Sequence, residues 1–370
     1  MNKRKPTNKL TIGTYYLAPY ARTKSHVQQV SECGIDFIIN IPNNKELLDL
    51  LSEHNVHAIV NGVFPGWFGG DGSNAGTLSI QNPIEKFEAG AAAFVDHPAI
   101  WGIDTGDEPS LLDFPHYGKI FEYVNSQFPH LQPYLNIYPS YAVKGSNTPE
   151  EVKAQLGTDD YAAYIEEYCK YVPSDYICFD YYPYSATMEG LYHSLNTVSA
   201  ACKKTNRDLW VVLQVNSIDP DVWVSADQLQ FQAFTAMAYG AKTLTWACYT
   251  AGWWHNHVLD KEGNRTEQYE KLKEVNAEIH TLGEEYINYK YIRTRSEGTL
   301  LIGEMEKTDT EKGYFITATE STDITFENEN NRFTLYSYND KELTKENGTY
   351  HLHLEPYEAV FLTEQLHTAK

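Results

Sequence analysis

The sequence predicts an α/β protein: a (β/α)8 TIM barrel followed by a small C-terminal antiparallel β-sandwich domain. Three observations predict it. Eight short β-rich segments alternate with amphipathic helical stretches, the pattern of parallel βα units. The first strand runs into Thr14-Tyr15-Tyr16-Leu17 rather than a Gly-rich phosphate turn, which argues against a doubly wound sheet. Beyond about residue 288 the chain changes to short alternating runs separated by turn residues. The division expected is therefore a barrel over 1–288 and a β-sandwich over 289–370.

The barrel strands are read at Leu10–Tyr16, Asp36–Ile41, His57–Gly62, Ile100–Thr105, Gln132–Ile137, Tyr176–Tyr181, Leu209–Val215 and Lys242–Ala247. Helix starts fall between them. Asn82-Pro83 with Glu85, Thr148-Pro149 with Glu151, and Ser225 with Gln228 each place an N-cap three residues before Glu or Gln. Two of the three also put Pro at the first helical position. Tyr269–Leu282 repeats apolar residues at helical spacing and reads as the last helix. The C-terminal strands are read at Thr299–Glu304, Gly313–Ala318, Arg332–Ser337, Thr349–Leu354 and Glu358–Thr363, with turns at Asn339-Asp340 and Asn347-Gly348.

Composition narrows the partners. Of 370 residues, 29 are Lys or Arg and 50 Asp or Glu, a net charge of −21. Such a surface repels phosphate backbones and anionic lipid, so neither nucleic acid nor a membrane is expected as partner. Aromatic residues make up 14%, with 28 Tyr and 7 Trp. Flat rings with polar edges suit a carbohydrate-binding cleft, and a Tyr-rich core would account for them equally well. The five cysteines, Cys33, Cys169, Cys178, Cys202 and Cys248, are scattered with no C-x-x-C pair, which argues against a zinc site or a disulfide framework. The thirteen His show no ligand spacing; neither metal nor cofactor is expected. No signal peptide is visible after the basic start MNKRKPTNKL, so the expected location is cytoplasmic. The sequence leaves the oligomeric state open, a homo-oligomer included.

In a barrel of this kind the chemistry sits at the C-terminal ends of the strands. The polar and aromatic residues expected there are Tyr15 after strand one; Asp107 and Glu108 after strand four; Asn136 and Tyr138 after strand five; Asp180 and Tyr182 after strand six; Gln214 ending strand seven; and Trp246, Trp253 and Trp254 at and beyond strand eight. The segment Gly66-Trp67-Phe68-Gly69-Gly70-Asp71-Gly72 lacks the Lys-Ser/Thr of a P-loop and reads as a loop over the site, bringing Trp67. Three carboxylates and several rings converge on one mouth. Cleaving a glycosidic bond needs one carboxylic acid to protonate the leaving oxygen and a second group to attack or stabilise the oxocarbenium-like carbon. Plainer roles stand beside these: Asp107 and Glu108 also suit a helix N-terminus, and Trp253-Trp254 suits a barrel rim.

Three segments carry a family resemblance. Asp96-His97-Pro98-Ala99-Ile100-Trp101-Gly102, followed by Asp107-Glu108-Pro109, resembles the fourth strand of the clan A glycoside hydrolases, such as β-galactosidases, mannanases and cellulases. In those families the strand ends Asn-Glu-Pro and its Glu is the acid/base, the position that Glu108 matches. Asp175-Tyr176-Ile177 through Asp180-Tyr181-Tyr182-Pro183 is similar to the sixth strand of galactanase-like members, and Asp260-Lys261-Glu262-Gly263-Asn264 with Thr266, Tyr269 and Val275-Asn276 is similar to the approach to the last helix in β-galactosidase-like members. The resemblance covers roughly residues 10–285 and implies a glycoside hydrolase barrel.

Two departures bear on mechanism. Asp107 stands where those families have Asn, and Gln214 stands where their nucleophilic Glu ends strand seven. An amide cannot serve as a carboxylate nucleophile. Three readings remain at this point: Glu108 pairs with Asp180 across the mouth; Asp107-Glu108 works as in the substrate-assisted β-N-acetylhexosaminidases, which the adjacent Asp-Glu resembles, with Asp107 orienting a 2-acetamido group; or the barrel binds sugar without cleaving it.

Overall fold

A computed structural model describes residues 3–86, 95–140, 148–252, 254–328, 332–338 and 341–366. The chain divides into two compact units. The first comprises 1–7, 11–224 and 243–270, and the second 8–10, 225–242 and 271–370.

The barrel sheet has eight strands: β1 (Thr11–Tyr15), β2 (Phe37–Pro42), β3 (His57–Asn61), β4 (Ile100–Asp107), β5 (Gln132–Asn136), β6 (Tyr176–Asp180), β7 (Asp208–Gln214) and β8 (Ala241–Ala247). Their order, β5-β4-β3-β2-β1-β8-β7-β6, is that of a barrel opened between β5 and β6. A parallel bridge between Ile137 and Phe179 closes that seam, with Ile137 N–H donating to the Cys178 carbonyl at 2.9 Å. Inward-facing side chains alternate along the strands and fill the barrel: Phe37, Ile39, Ile59, Trp101, Tyr134, Tyr176, Cys178, Trp210, Val212 and Ala247 are all buried. The interior is thus a packed core, and chemistry is confined to its ends.

The eight strands lie where the sequence puts them, with one difference that matters for the site. β4 runs two residues past the expected Thr105. Its partner register jumps there, from Asp104 opposite Tyr134 to Gly106 opposite Leu135, leaving Thr105 as an extra residue. A bulge of this kind bends the strand and re-aims the side chains beyond it. Asp107 still pairs with Asn136, and on its other side Asp107 N–H donates to the Trp67 carbonyl at 2.9 Å while Gly69 N–H donates to the Asp107 carbonyl at 3.0 Å. The loop thereby extends the sheet.

The caps read from the sequence form as well. Thr148 and Glu151 make a reciprocal capping box on the helix Pro149–Leu156, and Ser225 and Gln228 make one on Ala226–Ala238. The last helix spans Glu267–Tyr286. The helix expected after Asn82-Pro83 runs into residues 87–94, outside those described.

In the second unit, two antiparallel sheets follow the last helix, with orders β13-β16-β11-β10-β9 and β12-β15-β14. They are built from β9 (Lys290–Glu297), β10 (Leu300–Thr308), β11 (Glu311–Ala318), β12 (Thr322–Glu327), β13 (Phe333–Tyr338), β14 (Thr344–Glu346), β15 (Thr349–Leu354) and β16 (Ala359–Leu366). Eight strands stand where the sequence reading found five. The three missed, β9, β12 and β14, hold few apolar residues, and Ile324 of β12 is the one buried among them. One apolar cluster takes Ile302, Ile316, Val360 and Leu362 from the larger sheet and Ile324, Leu352 and Leu354 from the smaller. Two sheets sharing one core form a sandwich. Asn347 and Gly348, with φ of 49° and 85°, make the tight turn between β14 and β15. Asn339-Asp340 lie outside the described residues.

Candidate active site

Two cavities open at the C-terminal ends of the barrel strands. One, of about 470 Å³, is lined by Tyr15, Phe68, Asp107, Glu108, Asn136, Asp180, Tyr182 and Trp254. The other, of about 620 Å³, is lined by Tyr15, Asn40, Asn61, Phe64, Trp67, Phe68, Asp104 and Asp107, with Gly62, Gly66 and Gly106. They share Tyr15, Phe68 and Asp107.

Asp104, Asp107 and Glu108 reach these cavities by unequal routes. In a regular strand Asp104 and Asp107 would point to opposite faces. The extra residue at Thr105 cancels that parity, so both carboxylates line the larger cavity. Glu108 then takes a φ of 43°. That left-handed conformation is uncommon for a side chain of this size and costs on the order of 1–3 kcal/mol. Its N–H is fixed by the Asn136 carbonyl at 2.9 Å. The turn is also sealed from the loop side, because a Cβ on Gly69 would lie 1.6 Å from the Glu108 carbonyl oxygen.

Asn136 ties the carboxylates together. Its Nδ2 donates to Asp107 Oδ1 at 3.0 Å and to Asp180 Oδ1 at 2.7 Å, so these two oxygens lie no more than 5.7 Å apart. Asp180 is buried, at 5% exposure. Burial first, and then the neighbouring Asp180 charge, push Asp107 up to about 7, against the stabilising bond from Asn136. Two carboxylates this close, one of them desolvated, favour a state in which a proton is held between them at neutral pH.

Asp104 is pushed up to about 7 by burial alone, opposed by the Gly106 N–H that donates to its Oδ1 at 3.1 Å. An unfolded Asp titrates near about 3.9. Between that value and about 7, the folded chain holds a proton that the unfolded chain has released. The group therefore contributes most below that window, and its contribution is lost as pH rises through it. Asp104→Asn, which cannot ionise, is expected to stabilise more at pH 8 than at pH 5, by roughly 1–3 kcal/mol. Urea midpoints at the two pH values measure this; equal gains at both would contradict it.

Aromatic rings wall the smaller cavity. Tyr182 and Trp254 meet edge to face, with centroids 4.6 Å apart at 84°. Phe68 is 59% exposed although it lines both cavities, and an open ring of this kind is what an apolar sugar face could cover. Trp67 is buried in the larger cavity's wall.

Of the residues singled out from the sequence, Tyr15, Trp67, Asp107, Glu108, Asn136, Asp180, Tyr182 and Trp254 line one or both cavities. Tyr138 does not line them; its hydroxyl donates to the Gly70 carbonyl at 2.5 Å and anchors the loop. Two assignments are corrected. Trp246 lies fully buried away from both cavities. Thr245 takes a bond from Trp210 Nε1 inside the barrel and Ala247 sits in the barrel core, so strand alternation turns Trp246 outward. Gln214 is likewise fully buried. Its Oε1 accepts from Tyr184 N–H at 2.9 Å, and its Nε2 donates to Ser185 Oγ and the Asn216 carbonyl at 2.9 and 3.0 Å. The segment after β6 crosses the end of β7 and engages the whole amide, so Gln214 braces that segment. Trp253 lies outside the described residues.

Asn40, Asn61, Asp104 and Phe68 were missed. Asn61 ends β3, Asn40 lies near the end of β2, and Asn61 Nδ2 donates to Asn40 Oδ1. The strand-end rule, applied to the first strand and to the fourth onward, finds both Asn when it is applied to the second and third. Asn40 is a second extra residue, with Ile39 opposite Ile59 and Ile41 opposite Val60, and this the sequence does not show. Among the described residues no cluster of three His, Cys, Asp or Glu could hold a metal, and no helix is long and apolar enough to cross a membrane. None of the five cysteines is in a disulfide.

No protein-family model matches the chain, and comparison with curated proteins finds no match. Its likeness to solved structures is broad. An α-amylase from H. orenii superposes with a TM-score of 0.57 at 12% identity, over 97% of this chain and 99% of that one. A family 39 glycoside hydrolase from Bacteroides cellulosilyticus gives 0.52 at 12% identity, over 98% and 81%. A family 30 subfamily 8 xylanase from Clostridium acetobutylicum gives 0.51 at 10% identity, over 96% of each. At such identities the likeness establishes the fold, a (β/α)8 barrel followed by antiparallel sheets.

Proposed function

We propose that this chain is a glycoside hydrolase whose catalytic barrel, taken as residues 1–288, cleaves an O-glycosidic bond in an oligo- or polysaccharide. The observation that carries this reading is the meeting of Asp107, Glu108 and Asp180 on one aromatic-walled cavity at the C-terminal end of the barrel. Glu108 is the general acid that protonates the leaving oxygen, and Asp180 is the second carboxylate, which attacks the anomeric carbon or activates water. Asp107, raised to about 7, lowers the negative charge that the pocket carries at neutral pH. The rings of Tyr15, Phe68, Tyr182 and Trp254 offer stacking faces, and two contiguous cavities of about 470 and 620 Å³ leave room for more than one sugar unit. Solved structures of the same fold include proteins named as glycoside hydrolases, which agrees with this reading.

A second assignment of the acid has its own support. Asp107, raised to about 7, has a pKa suited to donate a proton, and its limit of 5.7 Å from Asp180, oxygen to oxygen, admits the retaining range of about 5–5.5 Å. The test is release of aryl aglycones from a panel of glycosides. Turnover of at least one sugar is expected, with a strong loss in Asp180→Ala. Binding of sugars without turnover of any would replace this reading with a silent carbohydrate-binding barrel.

A further inference from the structure

Beneath the carboxylates runs a row of hydrogen-bonding groups that the chemistry above does not use. Tyr15 OH and Tyr134 OH are 2.8 Å apart, Tyr134 OH and Cys178 Sγ 3.7 Å, and Cys178 Sγ lies 3.5 Å from Asn136 Oδ1. Asn136 Nδ2 then reaches both Asp107 and Asp180. The row begins at a ring lining both cavities and ends at the carboxylates, crossing the core through β5 and β6.

Its direction is set by what each group can do. An ionised carboxylate can only accept, so against a charged Asp107 or Asp180 the Asn136 amide presents nitrogen and turns its oxygen to Cys178. That oxygen needs a donor, and the thiol supplies one. The sulfur is then left to accept from Tyr134. A thiolate in that place would repel Asn136 Oδ1 and turn the amide over; burial holds the thiol protonated by raising its pKa well above the ordinary value. A flipped amide would set an oxygen against two carboxylates.

We propose that Cys178 is a positioning residue: its S–H, backed by Tyr134 and Tyr15, fixes the Asn136 amide so that both N–H bonds fall on Asp107 and Asp180. This deepens the functional reading above, since it concerns the same carboxylates. Donation from Asn136 favours the ionised form of Asp107. Losing the correct amide orientation therefore raises the Asp107 pKa further. Asp104, Glu108 and Asp180 are the titratable carboxyl groups around Asp107. The phenols of Tyr15, Tyr117, Tyr134 and Tyr138 also face it, and all stay neutral because burial raises them.

The test is a carboxyl ¹³C NMR titration of the Asp-labelled full chain, with Asp107 assigned by its absence in Asp107→Asn. Cys178→Ala is expected to raise the Asp107 pKa by about one unit, the size expected for one hydrogen bond to a charged group. Cys178→Ser keeps a donor and is expected to stay closer to the parent than Cys178→Ala does. Tyr134→Phe, which removes the support behind the thiol, is expected to move Asp107 upward by less. An unchanged Asp107 pKa in folded Cys178→Ala, or a serine variant that behaves as the alanine one, overturns the proposal. Should Cys178→Ala fail to fold, an unmoved Asp107 in Tyr134→Phe overturns it instead. The titration needs no substrate. Absence of glycosidase activity would therefore sink the functional reading and leave this one standing, and the converse holds equally.

Discussion

Glu108→Gln is expected to lower kcat/KM by about 10²–10⁴-fold on glycosides with poor leaving groups, the usual contribution of a positioned general acid. Dinitrophenyl glycosides, which need little protonation to depart, should lose far less. The variant keeps the shape of the side chain and inherits the same φ of 43°, so the fold should be retained. The contrast between leaving groups is the decisive quantity, because a merely structural defect would slow both classes alike. Asp107→Asn run in parallel separates the two candidate acids. If the leaving-group contrast appears in Asp107→Asn and not in Glu108→Gln, the proton comes from the residue raised to about 7.

Removing the second carboxylate should cost more. Asp180→Ala is expected to reduce kcat on the order of 10³-fold or more, about 4 kcal/mol of transition-state stabilisation. If Asp180 attacks the anomeric carbon, azide entering the vacated space should restore turnover and yield a glycosyl azide of inverted configuration. Product analysis by NMR reads this directly, and its absence alongside a large loss would point to a water-activating base. The charge also acts on its neighbour. Asp180 raises the Asp107 pKa, so in Asp180→Asn, where that charge is gone, Asp107 should titrate below about 7. A pH profile of residual activity, or a direct carboxyl titration, should show the limb moving to lower pH. No movement would mean that burial alone, without the Asp180 charge, sets Asp107.

The placement of these carboxylates was only partly legible. Local pattern sufficed for the eight barrel strands, because each is a short apolar run that the barrel buries on both faces, and for the Thr148 and Ser225 caps, whose partners lie three residues away. Strand ends sufficed to nominate Asp107, Glu108, Asn136 and Asp180, since the topology of a parallel barrel puts all such ends at one mouth. Strands β9, β12 and β14 escaped because they hold few apolar residues, with Ile324 the one buried among them.

Orientation was decided elsewhere. Whether Asp104 and Asp107 share a face depends on one extra residue at Thr105, and an extra residue exists only relative to a partner strand. Trp246 faces away from the cavities because its neighbours in β8 face the barrel core, and Gln214 is occupied because a segment from another βα unit crosses it. The Asn136 amide is aimed by a thiol 42 positions along the chain and by two carboxylates on neighbouring strands. The sequence by itself determined that the strand ends carrying Asp107, Glu108, Asn136 and Asp180 meet at one mouth of the barrel. Only tertiary structure decided which way they point, because side-chain direction at a strand end is set by register and by partners far away in the chain.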